Sequence, residues 1–81
     1  MEEFIGTIVR NLVDKPDEVD VKVVESDDTI LYELRVGDGD FGKVIGKRGR
    51  NISAIRTILF AINAKVGGKR AMLEIIDQNE Q

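Results

Sequence analysis

The sequence predicts an α+β fold in which a three-stranded sheet packs on helices, with the elements in the order α-β-β-α-α-β. Two observations support this prediction. Apolar residues recur at helical spacing near the start of the chain and again in its second half, and they alternate with polar residues in three short segments. The chain has 81 residues, which is enough for one hydrophobic core, so we expect a single domain over residues 1–81.

The first predicted helix covers residues 3–14. Its apolar residues recur at intervals of one and four positions and so form a single stripe on the helix surface. Pro16 follows and would end the helix, because proline lacks a backbone N–H donor. The residues of the stripe are Phe4, Ile5, Ile8, Val9, Leu12 and Val13.

Two strands are predicted next, over residues 19–23 and 30–36. Valines alternate with polar residues in the first segment, and Ile30, Tyr32, Leu34 and Val36 occupy every second position of the second. The polar residues 26–29 between them form a short connection, which predicts an antiparallel hairpin.

The second half of the chain predicts a short helix, a long helix and a last strand. Residues 41–45 are enough for about one helical turn, with Asp40 as N-cap. Residues 50–66 carry isoleucine, leucine and valine at helical spacing, and glycines follow where a helix C-terminus favours them. Residues 71–76 are predicted to form the third strand. The predicted core of the domain therefore spans residues 2–76, and the predicted polar tail covers residues 77–81.

The charges are distributed unevenly along the chain. With 12 Lys and Arg against 15 Asp and Glu, the net charge is −3, which by itself argues against a nucleic-acid partner. However, the segment from Lys43 to Arg70 contains eight basic residues and no acidic residue, and the remainder of the chain carries a charge of −11. This uneven distribution is the first indication of a binding surface for phosphates.

The absence of cysteine and histidine excludes several kinds of chemistry. Disulfides, thiolate nucleophiles and cysteine zinc sites are excluded, and so is the commonest general base. We therefore expect neither an enzyme nor a cofactor. The acidic N-terminus does not resemble a secretory signal, and no apolar run approaches the length of about 18–20 residues that spans a membrane. We expect a cytoplasmic protein without a membrane partner.

The glycine-rich segment 37–49 partly matches several phosphate-binding or metal-binding motifs. It contains a Gly-x-Gly-x-x-Gly pattern, but the acidic residue that a dinucleotide site needs about 20 residues later is missing, and the chain is too short for a kinase. Arg48 stands where a P-loop needs Ser or Thr, and Gly49 stands where a calcium loop needs a bidentate Glu. None of these four sites is predicted.

A Gly-x-x-Gly loop with two basic middle residues fits this segment better. Gly46 and Gly49 enclose Lys47 and Arg48 between the two predicted helices. Glycines allow a tight turn and leave room for a sugar-phosphate backbone, and the N-terminus of the following helix offers N–H donors to phosphates. Neighbouring Val44, Ile45 and Ile52 could form the floor of a groove for bases. The pattern predicts binding of single-stranded nucleic acid.

At these residues the chain resembles the KH domain, a module that binds RNA and single-stranded DNA. The element order, with an N-terminal helix, resembles the type II arrangement, and the short chain is similar to the KhpA (YlqC-like) family of small bacterial single-KH proteins. This resemblance implies RNA binding of broad specificity, as an RNA chaperone or post-transcriptional regulator. It also implies a homodimer, a heterodimer with a multidomain KH protein (KhpB, also called Jag), and a role in cell shape.

The resemblance also implies which residues contact RNA. Four form the loop that clamps the RNA backbone: Gly46, Lys47, Arg48 and Gly49. The flanking helices would contribute Gly42, Lys43 and Ile45 before the loop and Arg50, Ile52, Ser53 and Arg56 after it.

A second hypothesis is a dimerising interaction adaptor whose RNA binding is secondary. Phe60, Ala61 and Ala64 fall partly outside the core stripe of the long predicted helix, so they could form a small apolar patch.

Overall fold

The computed structural model describes residues 1–77. Of the predicted tail 77–81, Asp77 is the last residue of a strand, and residues 78–81 lie outside the described residues. Three helices and three strands follow one another in the predicted order. Single 3-10 turns lie at Pro16–Glu18 and Lys47–Gly49. The elements are α1 (Glu2–Arg10), β1 (Asp20–Glu25), β2 (Thr29–Val36), α2 (Phe41–Ile45), α3 (Arg50–Val66) and β3 (Arg70–Asp77).

The strands form one sheet in the order β1-β2-β3. β1 and β2 pair antiparallel, with Val23 opposite Tyr32, which confirms the predicted hairpin. β3 pairs with β2 in parallel, with Leu73 opposite Tyr32. A parallel pair needs a long crossover connection. Here that connection contains α2, the Gly-x-x-Gly loop and α3.

The core lies between one face of the sheet and the helices. Alternate residues of β2 point into it, as the sequence pattern predicts. Residues of α1 and α3 pack against them in one cluster. The buried apolar residues are Ile5, Val9, Val19, Tyr32, Leu34, Val36, Val44, Ile52, Ile55, Leu59, Ala71 and Leu73.

The prediction that the first helix extends to residue 14 is wrong. α1 ends at Arg10, and the N–H groups of Asn11 and Leu12 donate to carbonyls only three residues back. The apolar stripe is also narrower than predicted. Phe4 on α1 and Ile58 on α3 are exposed because they lie at the margins of the buried faces, and Val66 is exposed as the last residue of α3.

The structure has no helix in residues 1–77 that is long and apolar enough to cross a membrane. The longest, α3, has 17 residues and carries charged side chains along its exposed face.

Candidate nucleic-acid interface

The loop between α2 and α3 has a backbone that glycine favours. Gly46 has φ 76° and ψ 173°, a conformation that is essentially restricted to glycine, and Gly49 is left-handed with φ 74° and ψ 17°. Arg48 is also left-handed, with φ 57° and ψ 26°, and is the one non-glycine residue with positive φ in residues 1–77. A hydrogen bond from the Gly49 N–H to the Gly46 carbonyl, 3.1 Å long, closes the turn.

Asn51 fixes the position of this loop between its helices. Its side-chain amide donates a hydrogen bond to the carbonyl of Lys43 at 2.9 Å, which connects the first turn of α3 to α2. The same side chain fills the space beside Gly46, where an added Cβ would be 2.6 Å from the Asn51 Cγ. Sequence reasoning did not select Asn51. In the sequence, its position directly after the basic loop could have indicated a role at this site.

The basic residues at the tip of the loop are exposed in front of the N-terminus of α3. Lys47, Arg48 and Arg50 are all exposed, and so is Ser53 one turn further along the helix. No side-chain hydrogen bond caps the α3 N-terminus within the described part of the chain. Backbone N–H groups at such a terminus attract anions, so positive charge and hydrogen-bond donors occur together at this end of the helix.

Two other predicted site residues already have partners within the domain. The Lys43 ammonium lies 3.3 Å from the Asp14 carboxylate. The Arg56 guanidinium donates a hydrogen bond to the carbonyl of Leu73 at 3.1 Å, and so connects α3 to the β3 backbone. Neither partner was expected from the sequence, because both contacts join segments that are distant along the chain.

The apolar residues near the loop differ in how far they reach the surface. Val44 is fully buried and Ile52 is only 7% exposed, so both contribute mainly to the core. Ile45 is half-buried, and Gly42 is exposed with open space where a Cβ would lie. Of the three residues expected to form a groove floor, Ile45 therefore offers the most accessible surface.

Asp40 has a different role from the predicted one. It occupies the N-cap position of α2, but its side chain makes no capping hydrogen bond there. Its two carboxylate oxygens accept hydrogen bonds from the backbone N–H groups of Asp14, at 3.2 Å, and Lys15, at 2.9 Å. Asp40 is buried, and it attaches the chain that follows α1 to the start of α2.

A groove between α3 and β3 continues from the side of α3 that carries Arg56. Phe60 and Met72 line it and are 50% and 46% exposed. Arg56 and Arg70 add positive charge to its walls. This groove contains part of the apolar patch that the sequence indicated.

The chain also matches a known protein family. A family model described as "KhpA/KhpB, KH domain" matches residues 2–75. The chain belongs to this KH-domain family. The resemblance inferred from the Gly-x-x-Gly loop is thereby confirmed, and so is the α+β KH fold. The expectation that the protein is not an enzyme is confirmed as well, because this is a family of RNA-binding domains.

Curated relatives match almost the whole chain. The protein named RNA-binding protein KhpA of Chlamydia trachomatis is 51% identical over 78 residues, which cover 96% of this chain and 99% of the relative. The RNA-binding protein KhpA of Borreliella burgdorferi is 51% identical over 75 residues, covering 93% of this chain and 90% of the relative. That of Listeria monocytogenes is 46% identical over 77 residues, covering 95% and 100%.

Proposed function

We propose that this KH-family protein binds single-stranded RNA through the Gly46–Gly49 loop and the adjacent surfaces of α2 and α3. One observation carries the proposal. The left-handed backbone of the loop exposes Lys47 and Arg48 in front of the uncapped N-terminus of α3. The names of the relatives, which describe RNA binding, support it.

The chemistry of this surface favours the phosphate backbone over particular bases. Its charged groups act on phosphates, and no exposed aromatic side chain lies within the loop or in the first two turns of α3. Recognition of about four nucleotides, mainly through their backbone, would give broad sequence specificity. This is consistent with an RNA chaperone or a post-transcriptional regulator acting in the cytoplasm.

One KH domain offers a small contact surface, so stable binding requires more than one domain. Linking two RNA-binding modules raises the apparent affinity through effective concentration. We propose that the protein works as a homodimer or with a larger KhpB/Jag-like multidomain KH protein.

Fluorescence polarisation of a labelled single-stranded RNA at two salt concentrations tests the RNA-binding proposal. We expect the affinity to fall as salt rises, because phosphate contacts release counterions. The double variant Lys47→Asp/Arg48→Asp should abolish binding while remaining folded. A control with the same change in charge, Lys22→Asp/Lys65→Asp, should retain most of it. Equal binding by both folded double variants would contradict the assigned loop.

The alternative, a dimerising adaptor, is favoured by the exposed apolar side chains of Phe60 and Met72 in the α3–β3 groove. Sedimentation analysis of Phe60→Asp tests whether this groove forms a dimer interface, in which case the variant should be monomeric. Ile58→Asp is a matched control, because the two side chains project about 160° apart around α3. A dimer that persists in Phe60→Asp argues against this interface.

A further inference from the structure

The carboxylate of Asp14 forms an ion pair with Lys43, a residue of the proposed RNA-binding surface. The two charged groups are 3.3 Å apart, and their side chains are 74% and 45% exposed. Lys43 lies on α2, three residues before Gly46, the first residue of the Gly-x-x-Gly loop. A phosphate that approaches Lys43 therefore meets an acidic group already beside it.

The position of Asp14 is fixed by the backbone rather than by the ion pair alone. Asp40 is 1% exposed and accepts hydrogen bonds from the N–H groups of Asp14 and Lys15. Asp40 directly precedes α2, the helix that bears Lys43. The segment that carries Asp14 and the helix that carries its partner are thus attached to each other at a buried point.

We propose that Asp14 is a built-in competitor of RNA, which RNA phosphates must displace from Lys43 when they bind. This inference rests on the proposed function, since it assumes that RNA approaches the α2–loop–α3 surface. Ion pairs between exposed side chains are weak, so the competition reduces affinity without preventing binding. Removing the carboxylate should raise the affinity for single-stranded RNA by about two- to fivefold.

The competition should also affect the salt dependence. While Asp14 neutralises Lys43, that lysine contributes little to the release of counterions from RNA. Once Lys43 is free to contact a phosphate, the plot of log affinity against log salt should become steeper by up to about 0.7.

The test compares wild type, Asp14→Asn, Lys43→Gln and the double variant, with Asp17→Asn as a control, for binding to a labelled single-stranded RNA over a salt series. Asp14→Asn keeps the backbone N–H that Asp40 binds, so the fold should be retained. We expect Asp14→Asn to bind about two- to fivefold more tightly than wild type, and the gain to disappear in the Lys43→Gln background. Asp17→Asn removes an equal charge three residues along the chain and should leave the affinity close to that of wild type.

Three results would overturn this inference alone: wild-type affinity in Asp14→Asn, an equal gain in Asp17→Asn, or a gain that persists without Lys43. Failure of the wild-type protein to bind RNA at low salt would overturn the proposed function, and the inference with it. The two kinds of failure are therefore distinguishable in one experiment.

Discussion

The side chain of Asn51 occupies the space in which a side chain on Gly46 would have to lie. An added Cβ on Gly46 would be 2.6 Å from the Asn51 Cγ and 2.9 Å from the Asn51 backbone nitrogen. The Asn51 backbone nitrogen cannot move without shifting α3, so a Cβ on residue 46 would clash with it. Position 46 therefore requires glycine. The two residues thereby fix the angle at which the chain passes from α2 into α3.

Gly46→Ala should therefore lower the free energy of unfolding, by about 2–4 kcal/mol, through this contact and an unfavourable backbone conformation. Urea unfolding measures the effect. Gly42→Ala is the control, because Gly42 is helical and a Cβ there meets nothing within 4 Å. It should be neutral or raise stability by up to about 1 kcal/mol. Similar losses in the two variants would contradict the packing described for Gly46.

Replacing Arg48 by glycine should separate the charge of the loop from its conformation. A left-handed backbone disfavours arginine by about 1 kcal/mol but not glycine, so Arg48→Gly should leave the free energy of unfolding nearly unchanged or raise it. Lys47 has a negative φ, so Lys47→Gly should lower it by about 0.5–1 kcal/mol.

The RNA affinity of these two variants provides the second measurement. Each loses one positive charge, and each should bind RNA more weakly than wild type. A stabilised Arg48→Gly protein with undiminished affinity would show that the Arg48 guanidinium makes no contact with RNA.

Asp40→Ala should destabilise the domain by about 1–3 kcal/mol, because the N–H groups of Asp14 and Lys15 lose their acceptor in a partly buried place. Chemical denaturation gives the change. Asp27→Ala is the comparison, since Asp27 is exposed in the turn between β1 and β2 and should have an effect below about 0.5 kcal/mol. Equal effects at the two positions would argue against a structural role for the Asp40 carboxylate.

Tyr32 should make the stability of the domain fall at alkaline pH. Burial raises the pKa of its phenol above the ordinary value of about 10, and the carboxylates of Glu2 and Glu25 raise that pKa further. The folded protein then keeps a proton that the unfolded chain has already lost. The contribution to stability is complete below the unfolded pKa and is lost as pH rises through the folded pKa.

Urea unfolding of wild type and Tyr32→Phe at a series of pH values from about 8 to about 11 tests this expectation. The difference in stability between the two proteins should shift in favour of Tyr32→Phe as pH rises. A difference that stays constant over the series would indicate that the phenol titrates normally in the folded state.

The sequence predicted most of the fold because the elements are specified by local patterns. α3 and the β1–β2 hairpin have strong apolar periodicity, and their limits agree with the prediction to within one or two residues. The predicted end of α1 was wrong because of a contact between segments that are distant along the chain. Leu12 and Val13 continue the apolar pattern, but the chain turns there so that Lys15 can donate to Asp40. A local sequence pattern does not reveal a hydrogen bond between residues that are 25 positions apart.

The candidate site was only partly predictable for the same reason. The glycines and the exposed basic residues of the site could be recognised from their spacing within one short segment. The contact of Lys43 with Asp14 and that of Arg56 with Leu73 arise only after distant segments pack together. The burial of Ile52 depends on how α3 is oriented against the sheet, which the period of the helix alone does not determine.

The parallel pairing of β3 with β2 has a consequence for synthesis on the ribosome. β3 leaves the exit tunnel after α2, the loop and α3, yet it supplies one edge of the sheet. Until Arg70–Asp77 has emerged, the nascent chain can form the β1–β2 hairpin but lacks the strand that Arg56 and α3 contact. The surface around the loop is therefore completed only after Arg70–Asp77 has followed α3 out of the tunnel.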